Sequence, residues 1–592
     1  MNVESLPLSE GIQNIALSFS GGGFRAASFS LGCCRYLSLL PYGQGTMLDR
    51  VRYISSVSGG SITAMTVFSM LRQGVPFEEI YRHLIRQLQG SELLDKVFET
   101  LNNESAWSAR PEKNRNLINA LALVYDQHIF KGATYGSLFA GPVHKSIPVM
   151  DELCVNATEL NNGMNFRFST QGRIGNQYLS LNRGHQSSFD LIKKIKLGDI
   201  LACSSCFPAG FEPIVFPRDF AYAEADTTLS WDDLGGTVKT KDYYSGDFQP
   251  LALNKDMFSL MDGGIDDNQG VYAFRLADER KTKGYEYDLY MPCDVTSNYL
   301  KKPFRYPDER KYQWLNRSAD SLFSSIYSTV SVLLMLSILL TLLSVVFVAA
   351  ACKSLVWPVL LGFSLMGSLI LTVLQVGLAK IRRAVVVNTN RSVGGERTEG
   401  TWNMMLRKYS VNFMKMPLGK LLQLLEARGK SVFLLANTIF LKKIRRASYE
   451  QLFTDLGIPN RQIGLTSVYL LSTKNDRMLQ QELKTDLKGK NRPISVEDPR
   501  MILDVLQPSA VLRAHVDSAT AMETTLWFDD YHLKDDALAS LLITGQATMC
   551  FNLLRIVLRI PSSHHSWEGL KKQLLMDWEK FNEKPNWMLT ST

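Results

Sequence analysis

Apolar and polar positions alternate along the first 300 residues in two distinct rhythms. Short apolar runs at 15–19, 51–55 and 165–169 have the length of buried strands. Between them, Ile62 to Arg72 and Phe77 to Leu88 repeat apolar residues at helical spacing. Strand and helix in alternation predict an α/β fold for residues 1–300. Glu92 to Lys131 reads as a polar, helix-like insertion, a cap over a site. Arg218 to Phe248, rich in Asp, Gly, Tyr and Thr, reads as a long surface loop, either a lid or an inert insertion.

The rhythm changes at Ser321. Through Ala379 the only charged side chain is Lys353, and two apolar runs stand out, Ile326 to Ala351 and Leu355 to Ala379. At 1.5 Å per residue each would measure roughly 37 to 39 Å, against a hydrocarbon core of about 30 Å, which predicts an inserted two-helix transmembrane hairpin at 321–379. Lys301, Lys302, Arg305, Arg310, Lys311 and Arg317 precede it, and Lys380, Arg382 and Arg383 follow it. That asymmetry is expected to place residues 1–300 and the C-terminal part on the cytoplasmic side of an integral membrane protein with two transmembrane helices. Met1 to Glu10 carries neither the basic start nor the apolar stretch of a secretory signal, so the N-terminal part is expected to stay where it is made.

Beyond the hairpin, Asn388 to Gly400 reads as a linker and Trp402 to Leu425 as a cationic helix. Val432 to Leu441, only ten residues, is too short to span and reads as a core or interfacial segment. Leu465 to Leu471 and Thr524 to Phe528 resemble strands, and Asp535 to Ile560 an amphipathic helix stopped by Pro561. Residues 447–592 therefore return to α/β patterning, either as a separate domain or, the favoured alternative, as the completion of a discontinuous catalytic domain.

Composition adds little until it is resolved along the chain. The 592 residues are 45% hydrophobic and 21% charged, ordinary for folded protein. The net charge of +8 is concentrated: Lys380 to Arg446 holds fifteen basic and three acidic residues, so the remainder is net acidic. This basic juxtamembrane segment, 380–446, closed by Lys442, Lys443, Arg445 and Arg446, suits attraction to an anionic membrane surface or simply sets topology. No recognition motif accompanies it, and nucleic acid is not an expected partner. Eight cysteines give no disulfide framework and suit a reducing compartment. Cys203 and Cys206 have a C-x-x-C spacing without a second ligand pair, so a structural reading is preferred to a metal one.

Four short motifs carry the chemistry: Ser20-Gly21-Gly22-Gly23-Phe24-Arg25, Ser56-Val57-Ser58-Gly59-Gly60, Ser204-Ser205-Cys206-Phe207-Pro208 and Asp262-Gly263-Gly264. The first joins an apolar strand to a helix, a place where glycine N–H groups can bind an oxyanion. The second is a strand, a tight turn and a helix, the arrangement that exposes a nucleophilic serine, here Ser58. Asp266 and Asp267 lack calcium-loop spacing and read as loop-capping residues.

Together the motifs resemble the patatin-like phospholipase family, including the branch shared with cytosolic phospholipase A2. The resemblance covers about the first half of the chain. It implies a patatin-like three-layer α/β/α sandwich, a Ser58–Asp262 dyad without histidine, an oxyanion hole from Gly22 and Gly23, and a small elbow residue at Gly60. It also implies that Arg25 either steadies the oxyanion loop or attracts lipid phosphate. No cofactor or metal is implied, and membrane glycerolipids are the implied substrates. One departure stands in the elbow, usually G-x-S-x-G: Ser56 replaces the first glycine. Two alternatives remain: a Ser-Asp-His hydrolase using His515, His532 or His564, and a non-catalytic membrane scaffold that binds lipid.

Overall fold

The computed structural model describes residues 11–90, 92–139, 150–160, 163–171, 174–176, 180–181, 190–208, 210–220, 239–241, 248–250, 258–280, 287–296, 304–350, 354–390, 415–454, 463–488, 504–523, 525–558 and 567–589. Two compact units emerge, one formed by residues 1–301 with 436–592 and the other by 302–435.

The larger unit begins with strand β1 (Ile15–Phe19), helix α1 (Gly23–Leu39), strand β2 (Val51–Val57) and helix α2 (Gly59–Arg72). It continues through β3 (Glu152–Glu159), β4 (Met164–Ser169), α3 (Leu197–Ser205), β5 (Ser259–Asp262) and β6 (Leu289–Asp294). The smaller unit contains helices α4 (Ala319–Ala349) and α5 (Val356–Asn390). The chain then re-enters the larger unit with α6 (Leu441–Thr454), β7 (Thr466–Ser467), α7 (Ala510–Ala521), α8 (Ala537–Leu558) and α9 (Glu568–Glu583).

The sheet order β7-β6-β1-β2-β3-β4 is parallel from β7 to β3 and antiparallel at β4. It is a mixed sheet covered by helices, an α/β fold. Parallel strands need both faces covered, which accounts for the near-continuous burial of β1 and β2. The predicted strands at 15–19, 51–55 and 165–169 and the helices near 62–72 and 77–88 are all present within a few residues.

Three C-terminal expectations need correction. Of Leu465 to Leu471 only Thr466–Ser467 is strand; the chain turns at once, with Leu470 N–H bonded to Ser467 O. Within Thr524 to Phe528, Thr524 lies outside the described residues, and Thr525 makes a single parallel bridge to Gly23. Its carbonyl is used instead to accept from Phe24 N–H at the start of α1. The helix expected to be amphipathic, now α8, is buried on nearly every face because α1, α7 and α9 surround it. Asn388 to Gly400 and Arg218 to Phe248 lie mostly outside the described residues.

In the smaller unit α4 and α5 pack side by side with their polar groups turned toward each other. Ser337 Oγ donates to Ser364 O at 3.0 Å, Ser368 Oγ to Ser337 Oγ at 2.9 Å, and Gln375 Nε2 to Ser331 Oγ at 2.9 Å. Phe347 stacks on Trp357. The outer surface is apolar: Met335 is 72% and Phe363 76% exposed. Helices 320–349 and 356–380 are long and apolar enough to cross a membrane, and so is 537–558, but the last is 94% buried within the protein.

Candidate active site

Register brings the serine and the aspartate together. β2 runs parallel to β3 and ends with Val57 opposite Asn156. β5 runs antiparallel along the same stretch of β3, from Leu260 opposite Glu159 to Asp262 opposite Ala157. The C-terminal ends of β2 and β5 therefore meet at Asn156 and Ala157, although 204 positions separate Ser58 from Asp262 in the chain. Gly263 is required at the junction, because a Cβ there would lie 2.5 Å from Asn156 O. Asn156 Nδ2 donates to Ser55 Oγ and Ser56 O, and Thr158 Oγ1 to Asp262 O, which fixes both strand ends.

Ser58 has φ +50° and ψ −126°, a conformation costly for a residue with a side chain and typical of a sharp strand-to-helix turn. Its N–H donates to Ser204 Oγ at 2.9 Å, and Ser204 Oγ donates to Asn156 O at 2.7 Å. Ser56, in place of the usual glycine, is buried and accepts a hydrogen bond from Ser61 Oγ at 3.0 Å, so its hydroxyl is accommodated. Gly60 lets α2 pass the sheet: a Cβ would stand 2.7 Å from both Phe19 O and Ser20 O.

Strand register sets Ser58 beside the Asp262 carboxylate, whose acidity the serine hydroxyl influences. Asp262 is buried, and its Oδ1 accepts from Gly264 N–H at 2.7 Å. Burial pushes its pKa up to about 6, against the Gly264 N–H bond and the nearby Ser58 hydroxyl, which act to lower it. A carboxylate raised in this way is a better proton acceptor than a solvated one and is still ionised at neutral pH.

The glycine loop lies beside this pair. Gly21 N–H donates to Asn268 O at 2.9 Å, and the Cβ position at Gly21 is 3.2 Å from Ser58 Cβ. Gly22 (φ +145°) and Gly23 (φ +62°) open α1. Their N–H groups belong to the first turn of a helix, where backbone donors lack intrahelical acceptors. Gly23 and Gly59 interlock: a Cβ on Gly59 would be 2.0 Å from Gly23 O, and one on Gly23 2.0 Å from Thr525 O.

Residues 17–275 match the patatin-like phospholipase family. Among solved structures, human GIVD cytosolic phospholipase A2 is similar at 14% identity, with a TM-score of 0.30 and 47% of this chain covered. The matched part is 45% of that protein's chain. No curated protein matches.

The remaining sequence candidates of the patatin-like region occupy definite places. Arg25 is 4% exposed and turned into the protein, its Nη2 donating to Ala519 O at 3.2 Å. Burial lowers its pKa to about 10, with the charge of Asp294 opposing. A guanidinium so enclosed fits bracing of the loop, not capture of a lipid phosphate from solution. His515 Nδ1 pairs with Ser540 Oγ and His532 Nδ1 with Asp529; His564 lies outside the described residues. Cys203 and Cys206 are buried free thiols, and among the described residues no cluster of His, Cys, Asp and Glu could hold a metal. Asp267 Oδ2 accepts from Tyr272 N–H, a loop-capping contact. Asn156, Asn268 and Thr525 escaped the motif reading.

Proposed function

We propose that the chain is a membrane-anchored serine acyl hydrolase of the phospholipase A or lysophospholipase type, cleaving glycerolipid esters through a Ser58–Asp262 dyad. The observation that carries this reading is the strand register that sets Ser58, held in a strained turn, beside the buried carboxylate of Asp262, whose pKa burial raises. Asp262 takes the hydroxyl proton as Ser58 Oγ attacks the ester carbonyl. The tetrahedral oxyanion is met by the N–H groups of Gly22 and Gly23. Collapse breaks the C–O bond, the proton passes from Asp262 to the departing alcohol, and an acyl-Ser58 ester remains. Water, deprotonated by Asp262, then attacks the acyl carbonyl, releasing fatty acid and restoring the serine.

Residues 447–592 belong in this reading to the catalytic domain. Supporting observations are the pairing of β7 with β6, the Thr525 carbonyl on the first turn of α1, and the packing of α8 on α1.

The helices α4 and α5 cross the membrane twice in this reading and hold the catalytic part at the cytoplasmic face. Polar groups inside the pair and large apolar residues outside it suit lipid surroundings and would be costly in water. The third apolar helix, α8, buries its surface within the protein and requires no lipid. Exposed Lys443 and Arg446 are free to meet anionic headgroups, whereas Arg445 is buried.

One experiment tests both parts. Full-length protein in phosphatidylcholine vesicles is washed with carbonate and treated with a fluorophosphonate. Protein and label are expected together in the vesicle pellet, with the adduct on Ser58. Release of the protein by carbonate would refute the anchoring, and absence of the Ser58 adduct the nucleophile assignment.

A further inference from the structure

Asp294 ends β6 and is wholly buried. Its partners come mainly from the C-terminal part of the chain. Arg445 Nε, on α6, donates to Asp294 Oδ2 at 2.6 Å, and Tyr449 OH donates to the same oxygen at 3.0 Å. Arg445 Nη2 donates to Tyr469 OH at 2.9 Å, and its guanidinium lies over both tyrosine rings, 5.3 and 5.4 Å from their centroids. Arg445 is 6% exposed. A desolvated pair of this kind is held by geometry, because either charge left alone would be strongly disfavoured.

The other carboxylate oxygen bonds the turn that follows β6. Asp294 Oδ1 accepts from Thr296 N–H at 2.8 Å, which shapes the turn after β6. In that turn Val295 N–H donates to Ser20 Oγ at 3.1 Å, and the Val295 side chain fills the space beside Gly22, 2.7 Å from where a Cβ would stand. Thr296 Oγ1 accepts from Asn268 Nδ2 at 3.3 Å, and Asn268 O accepts the Gly21 N–H. Two contact routes thus run from Asp294, one through Val295 to Ser20 and Gly22, the other through Thr296 and Asn268 to Gly21.

We infer that Arg445 is a positioning residue for the oxyanion loop, acting through its buried contact with Asp294 and the Val295–Thr296 turn. The inference deepens the proposed function and rests on it only for its kinetic consequence. The backbone of Ser20 to Gly22 is fixed through these contacts to α6, so the geometry of the oxyanion donors depends on a residue remote in sequence. A displaced donor weakens the transition state more than the bound substrate, and the effect falls on kcat.

The test uses full-length Arg445→Met and Arg445→Lys beside wild type, with hydrogen exchange and the turnover of a soluble ester as readouts. In Arg445→Met, exchange of residues 18–26 is expected to accelerate about tenfold while strand 51–57 is unchanged. On the same variant kcat is expected to fall about tenfold or more with KM within about twofold, and Arg445→Lys, which keeps one charged donor, to recover part of it. Unchanged exchange at 18–26 in a folded Arg445→Met protein would overturn the inference. So would an equal acceleration over the whole chain, which marks general destabilisation. Should Arg445→Met not fold, the neutral pair Arg445→Met/Asp294→Asn avoids the lone buried charge. Faster exchange at 18–26 in that pair supports the inference, and wild-type exchange there refutes it. A wild-type protein that hydrolyses no ester would refute the proposed function instead, and the exchange result would still decide the role of Arg445.

Discussion

Gly23→Ala is expected to lower kcat for a soluble ester by about 10²–10³-fold, the cost of losing one oxyanion donor. The added Cβ would lie 2.0 Å from Thr525 O and 2.6 Å from Thr525 C, both backbone atoms that cannot rotate away. Gly23 also sits at φ +62°, a conformation that alanine adopts only with strain. The loop must therefore move, and because Gly59 packs on Gly23 O the displacement reaches the turn that carries Ser58. Steady-state turnover of a folded variant checks this, with KM expected to change far less than kcat. Wild-type kcat would show that Gly23 N–H takes no part in binding the oxyanion.

Asp262→Asn is expected to move activity and stability in opposite directions. Removal of the general base should reduce hydrolysis by about 10²–10⁴-fold. Stability follows from the raised pKa. The folded state holds the Asp262 proton up to about pH 6 against an ordinary value of 3.8, so the stabilisation from proton binding is fully present below pH 3.8 and is lost as pH rises through about 6. At pH 8 the wild-type protein carries a buried charge that asparagine does not. The variant should then be more stable by about 2–3 kcal/mol, at 1.36 kcal/mol per pKa unit, and the difference should vanish near pH 3 to 4. Denaturant midpoints at the two pH values measure it. The wild-type rate should fall as pH drops through about 6, where the base is protonated. A variant less stable than wild type at pH 8 would mean that the Gly264 N–H bond and the nearby Ser58 hydroxyl outweigh burial.

The proposed pair was legible because its motifs are local. Ser58 lies between a seven-residue strand and a helix, and Asp262 is followed by two glycines, so each motif is complete within a few residues. β1 was legible to the residue, being a short apolar run ended by glycines. Residues whose roles depend on long-range register were not legible. Asn156 is one asparagine in an otherwise ordinary strand, and it matters because two other strands end against it. Asn268 and Asp294 serve the glycine loop through backbone contacts that no local pattern records.

The C-terminal part shows the opposite failure. Thr525 has the composition of a strand residue but spends its carbonyl on the first turn of α1. The polar residues of α8, among them Gln546, Thr544 and Asn552, suggested a solvent-facing side, yet all are buried; Asn552 bonds Leu465 O and Thr544 its own helix at Ser540 O. Close passage of helices explains the arrangement. Gly545 and Gly32 let α8 and α1 approach until a Cβ on either would touch the other's backbone carbonyl, at 2.3 and 2.4 Å. Such a crossing draws polar side chains inside with the backbone.

The most direct test of the central claim is mass spectrometry of the lipids released when purified full-length protein meets mixed glycerophospholipid bilayers, with Ser58→Ala in parallel. The account predicts free fatty acid and the matching deacylated lipid from wild type and neither from Ser58→Ala. Fatty acid released equally by the two proteins would contradict it.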